Sequence, residues 1–281
     1  MDPQSPSVWF NSGVISPPAT SIHAIASAAL YGKGLFTTVA IINGEPFLWE
    51  KHWRRLRESA GKLSIDLSEF SEGSTRTALD EIISKNAVSN GRARITFFDE
   101  SSSSIWQFEE KSKTSLLIIS ADQRPVPDDL KATISTSRIS SRSFLAGIKS
   151  CNYLENILAI NDAKERGFDE AIRLNERDEI TSGCMANVFW LRGGRLFTPS
   201  LKTGCLPGTT REFILENLEC DEVESPEEVI HHAEATFFTS AGLGVVKVNE
   251  LSGKKLTAGD HPILQLIPES LKNTNIREYD S

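Results

Sequence analysis

The run LFTTVAIINGEPFLW, residues 35–49, constrains the fold more than any other stretch. Its first half is rich in β-branched and apolar residues, which suit a strand, and Asn43-Gly44 supplies the residues of a tight turn. SVWFNSGVIS repeats the theme, with Asn11-Ser12-Gly13 between two short strands. Directly after the second hairpin comes EKHWRRLRESAGKL, where Trp53, Leu56 and Ala60, with Trp49 just before the stretch, recur at helical spacing. Strands and helices in mixed order predict an α/β chain.

The pattern continues with a second helix inside SEFSEGSTRTALDEIISKNAV, ending before Asn90-Gly91, and with strands at ARITFFD and TSLLIIS. SSSS at 101–104 reads as a loop. ADQRPVPDDL then interrupts the periodicity, and its Pro125 and Pro127 predict a linker over 121–129. The expected division is a small N-terminal domain, 1–120, and a larger C-terminal one, 130–281. In the latter a strand at 131–137 precedes a helix from about Asn152 to Arg166, with Leu154, Ile157 and Leu158 as its apolar face. DEAIRLN, MANVFWLR, GRLFTPS, EATFFTS and GVVKV read as strands, and LPGTTREFILENL as loop and helix. A length of 281 residues accommodates two domains.

A net charge of -8 without a basic stripe gives no electrostatic support for nucleic-acid binding. No apolar run approaches a membrane span, and MDPQSPSVWF lacks the pattern of a secretory signal, so the expectation is a cytoplasmic protein that does not bind membranes. Cys151, Cys184, Cys205 and Cys220 show no paired spacing, which argues against a disulfide framework or zinc. His52, His231 and His232 read as surface or helix residues with no third ligand at metal-binding spacing, so no metal is expected.

The chemistry concentrates in three places. Lys149 lies in FLAGIKSCNYLENILAI as the one charge among apolar and small residues before Glu155. A lysine there caps the next helix, points to solvent, or is used covalently, since a buried ammonium is costly. Arg55, on the first long helix, faces solvent or forks onto a phosphate. PGTTRE places Gly208, Thr209 and Thr210 at a helix start, as a simple N-cap or as donors to an anion.

Together these segments resemble the fold type IV pyridoxal-phosphate enzymes, the class IV aminotransferase family. YGKGLFTTVAIINGEPFLWEKHWRRLRESAGKL is similar to the family's YGDG-F…H-x-x-RL…SA…L block. IKSCNYLENILAINDAKERGFDEAIRLNERDEITSGCMANVFW is similar to its K-x-x-NYL…G-x-DEA…T-E-G…N-x-F block, and LPGTTRE to its PG-I-T-R loop. The resemblance runs from about Tyr31 to Val248. It implies a two-domain α/β fold, a homodimer and pyridoxal phosphate as cofactor, with an amino-acid-like small molecule as substrate.

The resemblance also implies roles. Lys149 would join the cofactor covalently and afterwards move protons. Arg55, Thr209 and Thr210, with Gly208, would hold its phosphate, and Tyr153 its phenolic oxygen. Ser240 and Ala241 would lie beside the phosphate. Tyr31, Thr38 and Arg94 would face the substrate, with Arg94 towards its carboxylate. SSSSIW, 101–106, would reach a partner subunit's site.

The departures bear on the reaction. The family glutamate that pairs with the pyridine nitrogen is replaced by Ser182, and in a strand Glu179 would face away from it. A serine can hydrogen-bond a neutral nitrogen but cannot keep it protonated. Lys33 stands where the family often has aspartate, and Ala241 where many transaminases have threonine. FTT at 36–38, ANVFW at 186–190 and Ala241 are more similar to aminodeoxychorismate lyase than to branched-chain aminotransferase. The resemblance therefore implies a lyase releasing pyruvate to leave 4-aminobenzoate, or else a branched-chain or D-amino acid aminotransferase, or a weakly active or non-catalytic relative.

Overall fold

The computed structural model describes residues 6–104, 107–108, 113–123, 130–256 and 261–266. Two compact units emerge from the packing: Met1–Arg124 with Ile148–Asn152, and Pro125–Gly147 with Tyr153–Ser281. The segment carrying Lys149 thus packs with the first unit. Residues 124–129, most of the expected linker, and residues 105–106 of SSSSIW lie outside the described residues.

In the first unit, β1 (Val8–Phe10) and β2 (Gly13–Ile15) precede α1 (Ser27–Tyr31), β3 (Gly34–Ile42) and β4 (Glu45–Pro46). Helices α2 (Trp49–Leu63) and α3 (Glu72–Lys85) follow, then β5 (Gly91–Asp99), the short pair β6 (Ser103–Ser104) and β7 (Gln107–Phe108), and β8 (Thr114–Asp122). Six strands form one sheet in the order β2-β1-β8-β5-β3-β4. Asn43 and Gly44, at φ 52° and 81°, make the left-handed turn that joins β3 to β4.

The core of this unit forms where Leu35, Val39, Ile41, Ile95 and Phe97 of the sheet meet Trp53, Leu56 and Ala60 of α2 and Leu79 and Ile82 of α3. Each large apolar side chain buried there contributes roughly 1.5–3 kcal/mol. Helix α3 starts on a capping box. Ser71 Oγ accepts from the Ser74 amide, and Ser74 Oγ from the Ser71 amide, each at 3.0 Å.

In the second unit, β9 (Lys131–Ile139) and β10 (Glu170–Asn175) run parallel, so a crossover must join them, and α4 (Leu154–Glu165) lies in it. The strands β11 (Ile180–Gly183), β12 (Asn187–Arg192) and β13 (Arg195–Pro199) follow, then α5 (Thr209–Asn217), β14 (Cys220–Val223), α6 (Glu228–His231), β15 (Ala235–Ser240), β16 (Gly244–Lys247), β17 (Glu250–Leu251) and β18 (Lys254–Lys255). One sheet has the order β11-β10-β9-β17-β18 and the other β14-β13-β12-β15-β16. Ile172, Leu174 and Ile180 of the first share a core with Val188, Trp190, Phe238 and Val246 of the second.

Helix α4 corrects one expectation. Leu154 and Leu158 are 67% and 59% exposed, and Ile157 is exposed too. The buried side is instead Ala159, Ile160 and Ala163, packed with Ala171 of β10. Small residues let the helix approach the strand closely, and the bulkier stripe is left outside.

Among the described residues no helix is long and apolar enough to cross a membrane, no cluster of metal-ligating side chains forms, and all four cysteines are free thiols.

Candidate active site

Lys149 is positioned by a short strand-like pairing. The Phe36 amide donates to Lys149 O at 2.9 Å, the Cys151 amide to Gly34 O at 2.8 Å, and Leu35 bridges Ser150. Lys149 Nζ lies 4.5 Å from the centroid of the Phe36 ring, and the guanidinium carbon of Arg94 lies 3.6 Å from the same centroid. In the β3–β5 register Thr38 faces Arg94 and Phe36 faces Thr96, so these four share one side of the sheet. Burial, then the positive charges of Arg55 and Arg94, pull the Lys149 amine down to about 7. Near neutrality a large share of the amine is thus unprotonated, the state in which a lysine can act as a nucleophile.

Arg55 reaches this cluster from α2. Its Nη2 donates to Thr37 Oγ1 at 2.8 Å, and Thr37 Oγ1 lies 2.7 Å from His52 Nδ1. Because the guanidinium donates, the hydroxyl hydrogen of Thr37 is available for His52. His52 is 1% exposed, and burial followed by the charges of Arg55 and Lys149 holds its pKa well below the usual value. His52 was expected at the surface or on a helix; it lies on α2 but inside. Its i, i+3 spacing from Arg55 was the signal that both address one strand residue. Tyr31 ends α1 in the same unit, half-buried.

The second unit carries the remaining expected residues. Thr209 and Thr210 are buried in the first turn of α5. Gly208, the N-cap, has an ordinary φ of -70°. Its glycine is required by space: a Cβ there would stand 2.0 Å from Asn187 Oδ1, while Asn187 Nδ2 donates to Leu206 O at 2.8 Å. Ser240 ends β15 and Ala241 lies in the turn towards β16. On the same strand the buried Thr239 hydroxyl has no hydrogen-bond partner among the described residues. Tyr153 is the N-cap residue of α4.

Ser182 sits on β11 in register with Arg173 of β10. The register then shifts, so that Leu174 pairs with Ile180 and Thr181 is the extra residue, its hydroxyl donating to Arg173 O at 2.9 Å. This bulge breaks the strict alternation on which the expectation for Glu179 rested. Glu179 is nonetheless engaged elsewhere: its Oε2 accepts from Arg177 Nη2 and Asn175 Nδ2, each at 2.7 Å. The turn after Ser182 is pinned by the buried Glu170, whose carboxylate accepts from the amides of Ala171, Cys184 and Met185 at 2.9, 2.8 and 3.2 Å. Burial still raises the Glu170 carboxyl above its ordinary pKa and, with the Glu170 charge, pushes the Cys184 thiol up to about 12.

The first unit thus holds an amine of depressed pKa with Arg55 and Arg94 near it, and the second, taken by itself, a helix start with buried hydroxyls. The sequence model of the amino-transferase class IV family matches residues 34–251. The chain belongs to that family of pyridoxal-phosphate-dependent enzymes. Aminodeoxychorismate lyase of Bacillus subtilis is 27% identical over 257 residues, covering 87% of each chain. A solved candidate 4-amino-4-deoxychorismate lyase from Legionella pneumophila superposes with a TM-score of 0.81 at 25% identity, over 89% of this chain and 94% of that one. The branched-chain aminotransferase of Escherichia coli superposes with a TM-score of 0.85 at 22% identity, over 92% and 91%. At that identity the likeness speaks for the fold, which is the fold type IV architecture.

Proposed function

We propose that this chain is a pyridoxal-phosphate-dependent lyase of the aminodeoxychorismate-lyase kind, releasing pyruvate from 4-amino-4-deoxychorismate to leave 4-aminobenzoate. The observation that carries the reading is Ser182, on a strand whose nearest preceding carboxylate, Glu179, is held by Arg177 and Asn175.

The residues fit the cofactor. Arg55 would donate to its phosphate, and by the family resemblance Thr209 and Thr210, buried in the first turn of α5, would do so too, with Ser240 at the end of β15 and Ala241 just after it. Tyr153 would serve its phenolic oxygen and Ser182 its ring nitrogen. When bound, the cofactor supplies a covalent handle for the substrate amine and a conjugated ring beside the reacting carbon. Lys149 Nζ, whose depressed pKa leaves a large share of the amine unprotonated near neutral pH, would take the proton from the amine-bearing carbon. The electron pair left behind forms a carbon–carbon double bond as the neighbouring carbon–oxygen bond breaks. The departing enolpyruvate takes up a proton to become pyruvate. Arg94 and Thr38, on one side of the sheet, would orient the substrate carboxylate, and Tyr31 would face the substrate by the family resemblance.

A transaminase acting on branched-chain or D-amino acids is the second reading, favoured by Tyr153 in the K-x-x-NYL sequence. The exposed stripe of Leu154, Ile157 and Leu158 supports a homodimer. Incubation with 4-amino-4-deoxychorismate, and separately with amino donors and 2-oxo acids, tests the assignment. Elimination yields pyruvate and leaves the cofactor as the aldehyde; accumulation of pyridoxamine phosphate without pyruvate release would favour the transaminase.

A further inference from the structure

The alternation along β10 sends Ile172 and Leu174 into the core between the two sheets and Ala171 towards α4. Arg173 therefore points to the α4 side. Ser182, its direct cross-strand neighbour, points the same way, because opposed residues of an antiparallel pair share a face. Arg173 is 2% exposed, and its Nε has no hydrogen-bond partner among the described residues. Its Nη2 is hydrogen-bonded to the Glu155 carboxylate on α4 and lies 3.5 Å from Ser137 Oγ.

The two charges of this ion pair are not equivalent. The Glu155 side chain is 60% exposed and screened by water, whereas the guanidinium is enclosed. The buried carboxylate of the region, Glu170, spends its oxygens on three backbone amides. The face shared by Arg173 and Ser182 thus has the positive character of a desolvated guanidinium.

We infer that Arg173, anchored by Glu155, keeps the cofactor's ring nitrogen unprotonated, so that it accepts a hydrogen bond from the Ser182 hydroxyl. This rests on the reading that Ser182 faces that nitrogen. A second positive charge on the ring would sit beside a buried cation, and a serine offers it no counter-charge. Arg173 is a positioning residue that acts on the ring through the local field. The consequence for substrate class is direct. With a neutral ring the electron pair freed by proton loss is drawn weakly into the cofactor, and it departs most readily by expelling a group on the neighbouring carbon. The fitting substrates are amines with an oxygen leaving group beta to the amine.

The test is nitrogen NMR of the holoenzyme loaded with pyridoxal phosphate isotopically labelled at the ring nitrogen, followed across the neutral pH range. Wild type is expected at the unprotonated shift throughout. Arg173→Met is expected to raise the nitrogen's apparent pKa, and Ser182→Glu to move the shift to the protonated position. A protonated nitrogen in wild type overturns the inference and needs no variant that must fold; Arg173→Gln replaces Arg173→Met if the latter does not fold. If Ser182→Glu moves the signal and neither Arg173 variant does, the role of Arg173 fails while Ser182 keeps its place. If neither Ser182→Ala nor Ser182→Glu changes the shift, Ser182 does not face the nitrogen and the underlying reading falls with it.

Discussion

Lys149 gives the first measurable consequence at the scale of a residue. Its folded pKa is depressed, from 10.5 to about 7, so the unfolded chain binds its proton more tightly than the folded one. The penalty is complete below about pH 7 and is relieved as pH rises towards the unfolded value. Lys149→Met should therefore stabilise the cofactor-free protein at pH 6, by up to about 5 kcal/mol from the linkage, with the advantage vanishing above about pH 10.5. Urea unfolding of both apoproteins at the two extremes checks the sign. His52 behaves in the same direction in a lower window. Buried and neutral, it gives up stability as pH falls below 6.5, where the unfolded chain takes up a proton and the folded one does not. Its share of the slope is about 1.4 kcal/mol per pH unit. His52→Asn, whose amide can still accept from Thr37, should remove that slope from the unfolding free energy measured at mildly acid pH. The apolar setting of Lys149 was plain in the sequence. The inward turn of His52 was not, because its partner Thr37 lies on another element and no local pattern announces a buried hydroxyl contact.

At the scale of elements, α5 is set by one close approach. The start of α5 sits close against β12 because Gly208 leaves room for Asn187. Gly208→Ala should cost about 1–3 kcal/mol of stability and weaken pyridoxal phosphate binding, both read by thermal unfolding with and without cofactor. Adding Asn187→Ala, which removes the clashing oxygen, should return part of the loss, a coupling that independent sites would not show. The Gly-Thr-Thr before a helix was visible in the sequence, but the reason for the glycine was not, since the clash comes from a strand some twenty residues away. The bulge at Thr181 was equally hidden. Hydrophobic alternation reads an unbroken strand, and a single inserted residue changes which neighbours share a face. An unbroken strand would oppose Arg173 to Thr181 instead of Ser182.

For the molecule as a whole, mixed strands and helices followed from Asn43-Gly44, from the α2 stripe and from ordered motif blocks. Helix α4 shows the limit of such reasoning. Periodicity finds a face of Leu154, Ile157 and Leu158, yet the fold buries the opposite, smaller side. The large apolar side chains left outside belong to the proposed subunit contact. Leu154→Ser together with Leu158→Ser should shift the protein towards monomer on dilution, measured by sedimentation, with unfolding at high concentration little changed. A wild-type protein that is monomeric at all concentrations would remove that role from the stripe.

The place of Ile148–Asn152 has a consequence for biosynthesis. Five residues that complete the first unit are separated from the rest of it by Pro125–Gly147 in the chain. While a ribosome is still making those intervening residues, the backbone of Gly34 and Phe36 lacks the segment it will bond to, and the nascent sheet carries an open edge at the start of β3. The Lys149 amine arrives in the same stroke that seals that edge, so a growing chain cannot expose a finished first unit without it.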